Sequence, residues 1–225
     1  MGKRNWLLIA SWLVAAVIGG VVSNWASSPS VTAQERQGTE VARELTVTGL
    51  RVVDSSGKLR AQLVLGADGS PIFALSDQNG KLRVVQTVAT DGTPGLTLLD
   101  GSGTIRTGLC VHPDGCPALV LFDRDGKDRA NLGVATDGSP LLTFRDQNTK
   151  IRAKVGAITD KGPGLILCDQ NEKSRVALAL AANKTPALML FDQDEKHRAG
   201  LIVNADGTPF LSLWDQNENP VFRAP

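Results

Sequence analysis

The sequence predicts an all-β chain: a meander of about sixteen short strands made from 23-residue β-hairpin repeats, behind a single N-terminal transmembrane helix. Three observations carry that prediction. Asp recurs every 23 residues, at Asp54, Asp77, Asp100, Asp123, Asp146, Asp169, Asp192 and Asp215. Arg follows six residues after each of the first seven, from Arg60 to Arg198, and Pro keeps the same interval from Pro71 to Pro209. Between these markers apolar residues alternate with period two, which is a strand signature and not a helical one. A fixed period over most of a chain means one supersecondary unit stacked on copies of itself.

The first element is the leader. Lys3 and Arg4 precede an apolar run, Trp6–Val22, broken only by Ser11. As a helix this run spans about 25 Å, near the lower limit for a bilayer. Trp6 and Trp25 stand where interfacial aromatics sit, and the next basic residue after the run is Arg36. That asymmetry keeps the N-terminus cytoplasmic and sends the repeats outside. Residues 1–26 therefore read as a signal anchor, 27–44 as a polar linker with one short helical turn near Glu40–Glu44, and 45–225 as the repeat domain. Cleavage is the alternative. Val31-Thr32-Ala33 is a small-residue site, although it lies eleven residues past the run, and cleavage there would release a secreted protein. In both cases the repeats are periplasmic or extracellular.

The repeat itself runs P-x-L-x-L-x-D-x-x-G-K-x-R-A-x-L-x-V-x-x-D-G-x, clearest over Pro117–Ser139. After each Pro the second and fourth residues are Leu or Phe throughout, as in Phe73/Leu75, Leu119/Leu121 and Leu142/Phe144. After each Arg comes a small residue such as Ala61 or Ala130, then two apolar positions such as Leu132 and Val134, with Gln86 as the one intruder. The expectation is that these columns form the core, with Gln62, Asn131 and Lys154 facing solvent. The connections read as tight hairpins. Asp77-Gln-Asn-Gly80-Lys81 and Asp123-Arg-Asp-Gly126-Lys127 fit a type I turn followed by Gly at positive φ. Each Asp of the eight is expected to cap its turn by accepting backbone N–H bonds. Asp-Gly followed by Pro marks the opposite end, and later copies replace the first turn's Gly with Thr149, Glu172 or Glu195.

Laid flat, such a meander would extend roughly 75 Å with an apolar face exposed, so the sheet is expected to coil or close. The residue after each Pro runs Ile72, Gly95, Ala118, Leu141, Gly164, Ala187, Phe210, a three-copy rhythm of large, Gly and Ala. That rhythm favours a coiled β-solenoid with about three hairpins per turn, the alternative being a four-bladed propeller with two copies per blade.

The pattern "L-x-D-x-x-G-K-x-R-A-x-L-x-V-x-x-D-G-x-P", introduced by Val41-Ala42-Arg43-Glu44-Leu45, resembles repeats in uncharacterised exported bacterial proteins and covers roughly residues 45–225. No activity comes with that resemblance. The D-x-x-G-[KR] core is also distantly similar to the YD repeats of large secreted shells and toxins, whose signature Tyr this chain lacks.

Composition narrows function further. With 24 basic and 23 acidic residues and a formal charge of +1, the chain carries no electrostatic footprint for nucleic acid. Cys110, Cys116 and Cys168 are too few for a disulfide scaffold. Cys110-Val-His112-Pro-Asp-Gly-Cys116 gathers metal-ligand types, but the hairpin sets its two Cys about 10 Å apart, too far for a disulfide or one tetrahedral metal. Asp123 and Asp125 near Gly126 lack the distal Glu of a calcium loop. The only His, His112 and His197, are nearly four copies apart, so no nucleophile–base pair is legible. The expectation is a protein that is not an enzyme and needs no cofactor or metal. Phe122, Phe191 and Trp214 share the column before the Asp and are candidates for an interaction stripe. The expected partners are the membrane through the N-terminal helix, and an envelope protein or, alternatively, an envelope polysaccharide.

Overall fold

The computed structural model describes residues 46–159, 162–180 and 184–225. The signal anchor (1–26, with Trp6–Val22), the linker (27–44) and the candidate cleavage site lie outside the described residues. Among the described residues, all regular structure is strand and turn, and no helix is long and apolar enough to cross a membrane.

The chain divides into two units. The first, ending at Pro113, holds β1 (Gly49–Val53), β2 (Leu59–Leu65), β3 (Pro71–Ser76), β4 (Leu82–Val88), β5 (Pro94–Leu99) and β6 (Ile105–Val111). The second, from Asp114, holds β7 (Pro117–Phe122), β8 (Asp128–Val134), β9 (Pro140–Arg145), β10 (Ile151–Thr159), β11 (Gly162–Cys168), β12 (Ser174–Leu180), β13 (Pro186–Phe191), β14 (His197–Val203), β15 (Pro209–Trp214) and β16 (Pro220–Ala224). Within each unit every strand pairs antiparallel with the next in sequence. The all-β meander of hairpin repeats is thus the architecture of both units.

Turn chemistry produces the hairpins. The Gly80 N–H donates to the Asp77 carbonyl at 2.9 Å, and the Asp77 N–H to the Lys81 carbonyl at 2.8 Å. Gly80 sits at φ 79°, so the loop is a type I turn closed by a left-handed residue. The opposite end repeats the geometry: Gly69 N–H bonds the Gly66 carbonyl at 3.0 Å and Gly66 N–H the Ser70 carbonyl at 2.8 Å.

The pairing also slips by one residue at the Asp end of each hairpin. Leu75 faces Val84, but Ser76 faces Leu82, so Arg83 is left over as a β-bulge. The same slip isolates Arg106, Arg129, Arg152, Arg175 and Arg198, and in β2 it isolates Arg60. A bulge bends its strand and increases the local twist. Here the bend recurs with every repeat.

Burial reverses the expected assignment of faces. The Leu and Phe columns read as core point outward: Phe73, Leu98, Leu121, Leu132, Phe144, Leu178 and Leu201 are all exposed. The opposite face is the buried one. In the first unit Ile72, Ala74, Val85 and Leu99 form one cluster, with Val64, Leu82 and Ile105 packed against it. In the second, Ala118, Val120, Asn131, Thr143, Ala177 and Ser212 are buried. Asn131, expected in solvent, is therefore inside, and Gln62 and Lys154 are half-buried. The reason is size. A repeatedly bent sheet turns one face inward at close range, and its mid-strand positions hold Ala74, Val85, Thr97, Asn131, Thr143 and Ser212, where a column of Leu would overpack, while Leu99 and Phe122 sit at strand ends. The fit is tight: a Cβ added at Gly164 would meet the Leu178 carbonyl oxygen at 3.1 Å, and one at Gly200 the Trp214 ring at 3.3 Å.

Candidate functional site

The repeated Asp and Arg build a ladder along one end of the hairpins. Asp77 Oδ1 accepts from the N–H of Asn79 at 2.8 Å and of Lys81 at 3.0 Å. Asp54, Asp100, Asp123, Asp146, Asp169, Asp192 and Asp215 each accept the same two donors, two and four residues on. The Lys81 N–H, with lesser help from Asn79 and Arg83, holds the Asp77 carboxyl below its ordinary value. At Asp123 the Lys127 N–H is the main such cause, with Arg129 adding to it.

In six of the eight copies Oδ2 of the Asp meets the bulged Arg. Arg83 lies 3.4 Å from Asp77, Arg152 3.6 Å from Asp146 and Arg60 3.7 Å from Asp54, and Arg129, Arg175 and Arg198 pair more closely with Asp123, Asp169 and Asp192. Because a bulge re-aims its side chain, these guanidiniums lie along the strand ends and reach the next repeat as well. Arg129 donates to the carbonyls of Asp146 and Gln147, Arg175 to those of Asp192 and Gln193, and Arg198 to those of Asp215 and Gln216. One planar fork thus ties its own turn to the following one. Lys58, Lys81 and Lys173 make a parallel link, to the carbonyls of Gln78, Gly101 and Gln193.

Where Glu replaces Gly in the turn, its side chain also reaches the preceding repeat. Glu172 sits at φ 63°, a conformation costly for a side chain, and its carboxylate accepts from the Ile151 N–H at 3.0 Å and faces Lys150 at 3.5 Å. Glu195, at φ 62°, accepts from the Ser174 N–H at 2.9 Å.

Phe122, Phe191 and Trp214 fall in one column on the inward face: Phe122 is buried, and the other two are half-buried. The ring of His197 stands between Phe191 and Trp214, its centroid 4.8 Å from the first and 6.0 Å from the second. Phe122 lies in β7, several strands along the sheet from β13 and β15, which carry the other two. In its neighbourhood lies a pair that sequence reasoning missed. Asp128, across from Phe122, sits 3.1 Å from Arg145, with both side chains largely buried. Burial outweighs the guanidinium and raises the Asp128 carboxyl above its ordinary value. Asp128 Oδ1 and the buried Thr143 Oγ1 have no hydrogen-bond partner. The signal was present: both positions carry charge where equivalent copies hold Leu82, Leu99, Ile105 or Phe191.

Cys110 Sγ lies 3.8 Å from Nε2 of the buried His112, and burial raises the Cys110 thiol. Cys116 and Cys168 are buried. Among the described residues no three His, Cys, Asp or Glu side chains gather as a metal would require.

The outward face of the second unit is chemically uniform. Leu119 pairs with Leu132, Leu132 with Leu142, Leu142 with Val155 and Val155 with Leu165. The row continues through Leu178, Leu188, Leu201 and Leu211. One branched apolar residue on each strand from β7 to β15 forms a single unbroken line. No protein-family model and no curated protein sequence matches this chain.

Proposed function

We propose that this protein is a non-enzymatic scaffold of the bacterial envelope, tethered through Trp6–Val22 with its repeats on the outer side, whose sheet serves as a protein-interaction surface. The observation that supports it most is the apolar row from Leu119 to Leu211, in which Leu132, Val155, Leu178, Leu188, Leu201 and Leu211 are exposed and the rest half-buried. Contiguous apolar patches beyond a few hundred Å² mark contact sites. The Asp–Arg ladder fits a structural role, since all eight Asp accept the same two backbone N–H bonds and six of them pair with an Arg. A coiled, solenoid-like sheet remains the favoured form, and the small residues on the inward face support a tight coil over an open propeller blade. The Asp columns act as turn caps on this reading.

Glycan-array and peptidoglycan-binding assays on the purified full-length protein test it. The expected outcome is no saturable sugar binding. Saturable binding abolished by Trp214→Ala would replace the scaffold with a polysaccharide-binding module. The topology is checked by a reporter fused after Pro225: activity restricted to the cytoplasm would defeat the exported arrangement.

A further inference from the structure

We propose that the outward apolar face of β7–β15 is covered by the same face of a second copy of this chain, in a two-fold, sheet-on-sheet dimer. The inference rests on the interaction-scaffold reading and names its partner. Between Pro117 and Leu213 the outward positions of these strands hold only Pro, Ala, Val, Leu and Phe, and no polar side chain interrupts them. A face without a donor, an acceptor or a charge selects an apolar occupant.

Area then argues for a protein of comparable extent. At about 50 Å² of apolar surface for each half-exposed side chain, the thirteen exposed members from Leu121 to Leu213 amount to roughly 650 Å². That exceeds the largest patch of an ordinary monomer, about 300–600 Å², and approaches the 800 Å² or so that each partner buries in a standard complex. Relief argues for another sheet rather than lipid. Beside the continuous row runs a second in which odd strands carry Leu or Phe and even strands smaller residues: Leu121, Ala130, Phe144, Ala153, Leu167, Val176, Leu190, Ala199 and Leu213. Ridges on every second strand, with furrows between, interdigitate with a matching sheet about 10 Å away, and fluid acyl chains need no such relief. A two-fold axis brings the same patch of both copies together, so one uniformly apolar face supplies both sides of the contact, and a formal charge of +1 per chain gives two copies little to repel.

Photo-crosslinking in the membranes of cells expressing the full chain tests this. A benzophenone amino acid is placed at Leu178, in the middle of the face, and as a control at Gln193, in an exposed turn. The expected product at Leu178, and not at Gln193, is an adduct of twice the chain's mass that yields peptides of this chain alone. With the probe at Leu132 instead, Leu178→Asp combined with Leu201→Asp should lower that adduct at least about tenfold at unchanged protein level. An adduct to a different protein would overturn the second copy yet leave the interaction scaffold standing. Adducts to lipid, no adduct, or a dimer indifferent to the double substitution would each overturn the proposal, whatever the sugar assays return.

Discussion

Asn131 and Leu132 are adjacent in β8, yet the amide is 3% exposed and the leucine 50%. Polarity is inverted across the sheet because the inward face selects for size. Phe122→Ala should therefore cost about 3–5 kcal/mol and Leu132→Ala under about 1 kcal/mol, while Asn131→Leu should destabilise by about 1–3 kcal/mol through overpacking. Urea unfolding of the dilute protein measures all three. A larger loss at Leu132 than at Phe122 would mean that the faces are assigned the wrong way round.

Arg129 occupies a bulge and joins Asp123 to the carbonyls of Asp146 and Gln147. Arg129→Ala should cost about 1–3 kcal/mol, and Arg129→Lys should recover only part of it, since one ammonium cannot span both turns. Equal stability of Lys and Arg at this position would reduce the bridge to simple charge pairing.

Glu172 holds a left-handed conformation and two contacts to the preceding repeat. Glu172→Ala keeps the strain and loses the contacts, so a loss of about 1–2 kcal/mol is expected. Glu172→Gly loses the same contacts but relieves the strain and should fall nearer to wild type. Thermal midpoints of the two variants rank them directly, and an alanine variant as stable as the glycine one would contradict the account.

The buried Asp128–Arg145 pair lies where other copies are apolar. Arg145→Leu alone strands a buried carboxylate and should cost about 3–5 kcal/mol at neutral pH. Adding Asp128→Leu should recover most of that loss, because the double variant restores what neighbouring copies carry. The coupling is read from a double-mutant cycle.

Acid should unfold the protein through the turn ladder. Asp54, Asp77, Asp123 and Asp215 have folded-state values below their ordinary one, so their contribution is present above about pH 4 and is lost as pH falls through the lowered values. Asp128 runs the other way: its raised value means that protonation on acidification favours the folded state first. The wild type should therefore lose stability steeply below about pH 4, and Asp128→Asn should lose the small opposing gain just above it. Stability independent of pH over that range would remove the ladder as a source of stability.

The sequence by itself determined the period, the strands and the turns, because those depend on residues close together in the chain. Asp77 to Lys81 close their own hairpin, and alternation from Pro117 to Phe122 sets a strand whatever lies across from it. Which face of the strand is buried was beyond it. Leu121 and Phe122 are both apolar, and only the recurring bulge at Arg83, Arg129 and their equivalents decides which way the sheet bends. The bulge is itself a matter of pairing: the one-residue slip between Leu121–Ala130 and Phe122–Asp128 exists only once two strands meet. The tertiary structure alone decided that the inward side would be the crowded one, where Gly, Ala, Ser and Thr fit. It left the Leu rows outside, where they offer a surface to a partner instead of a core.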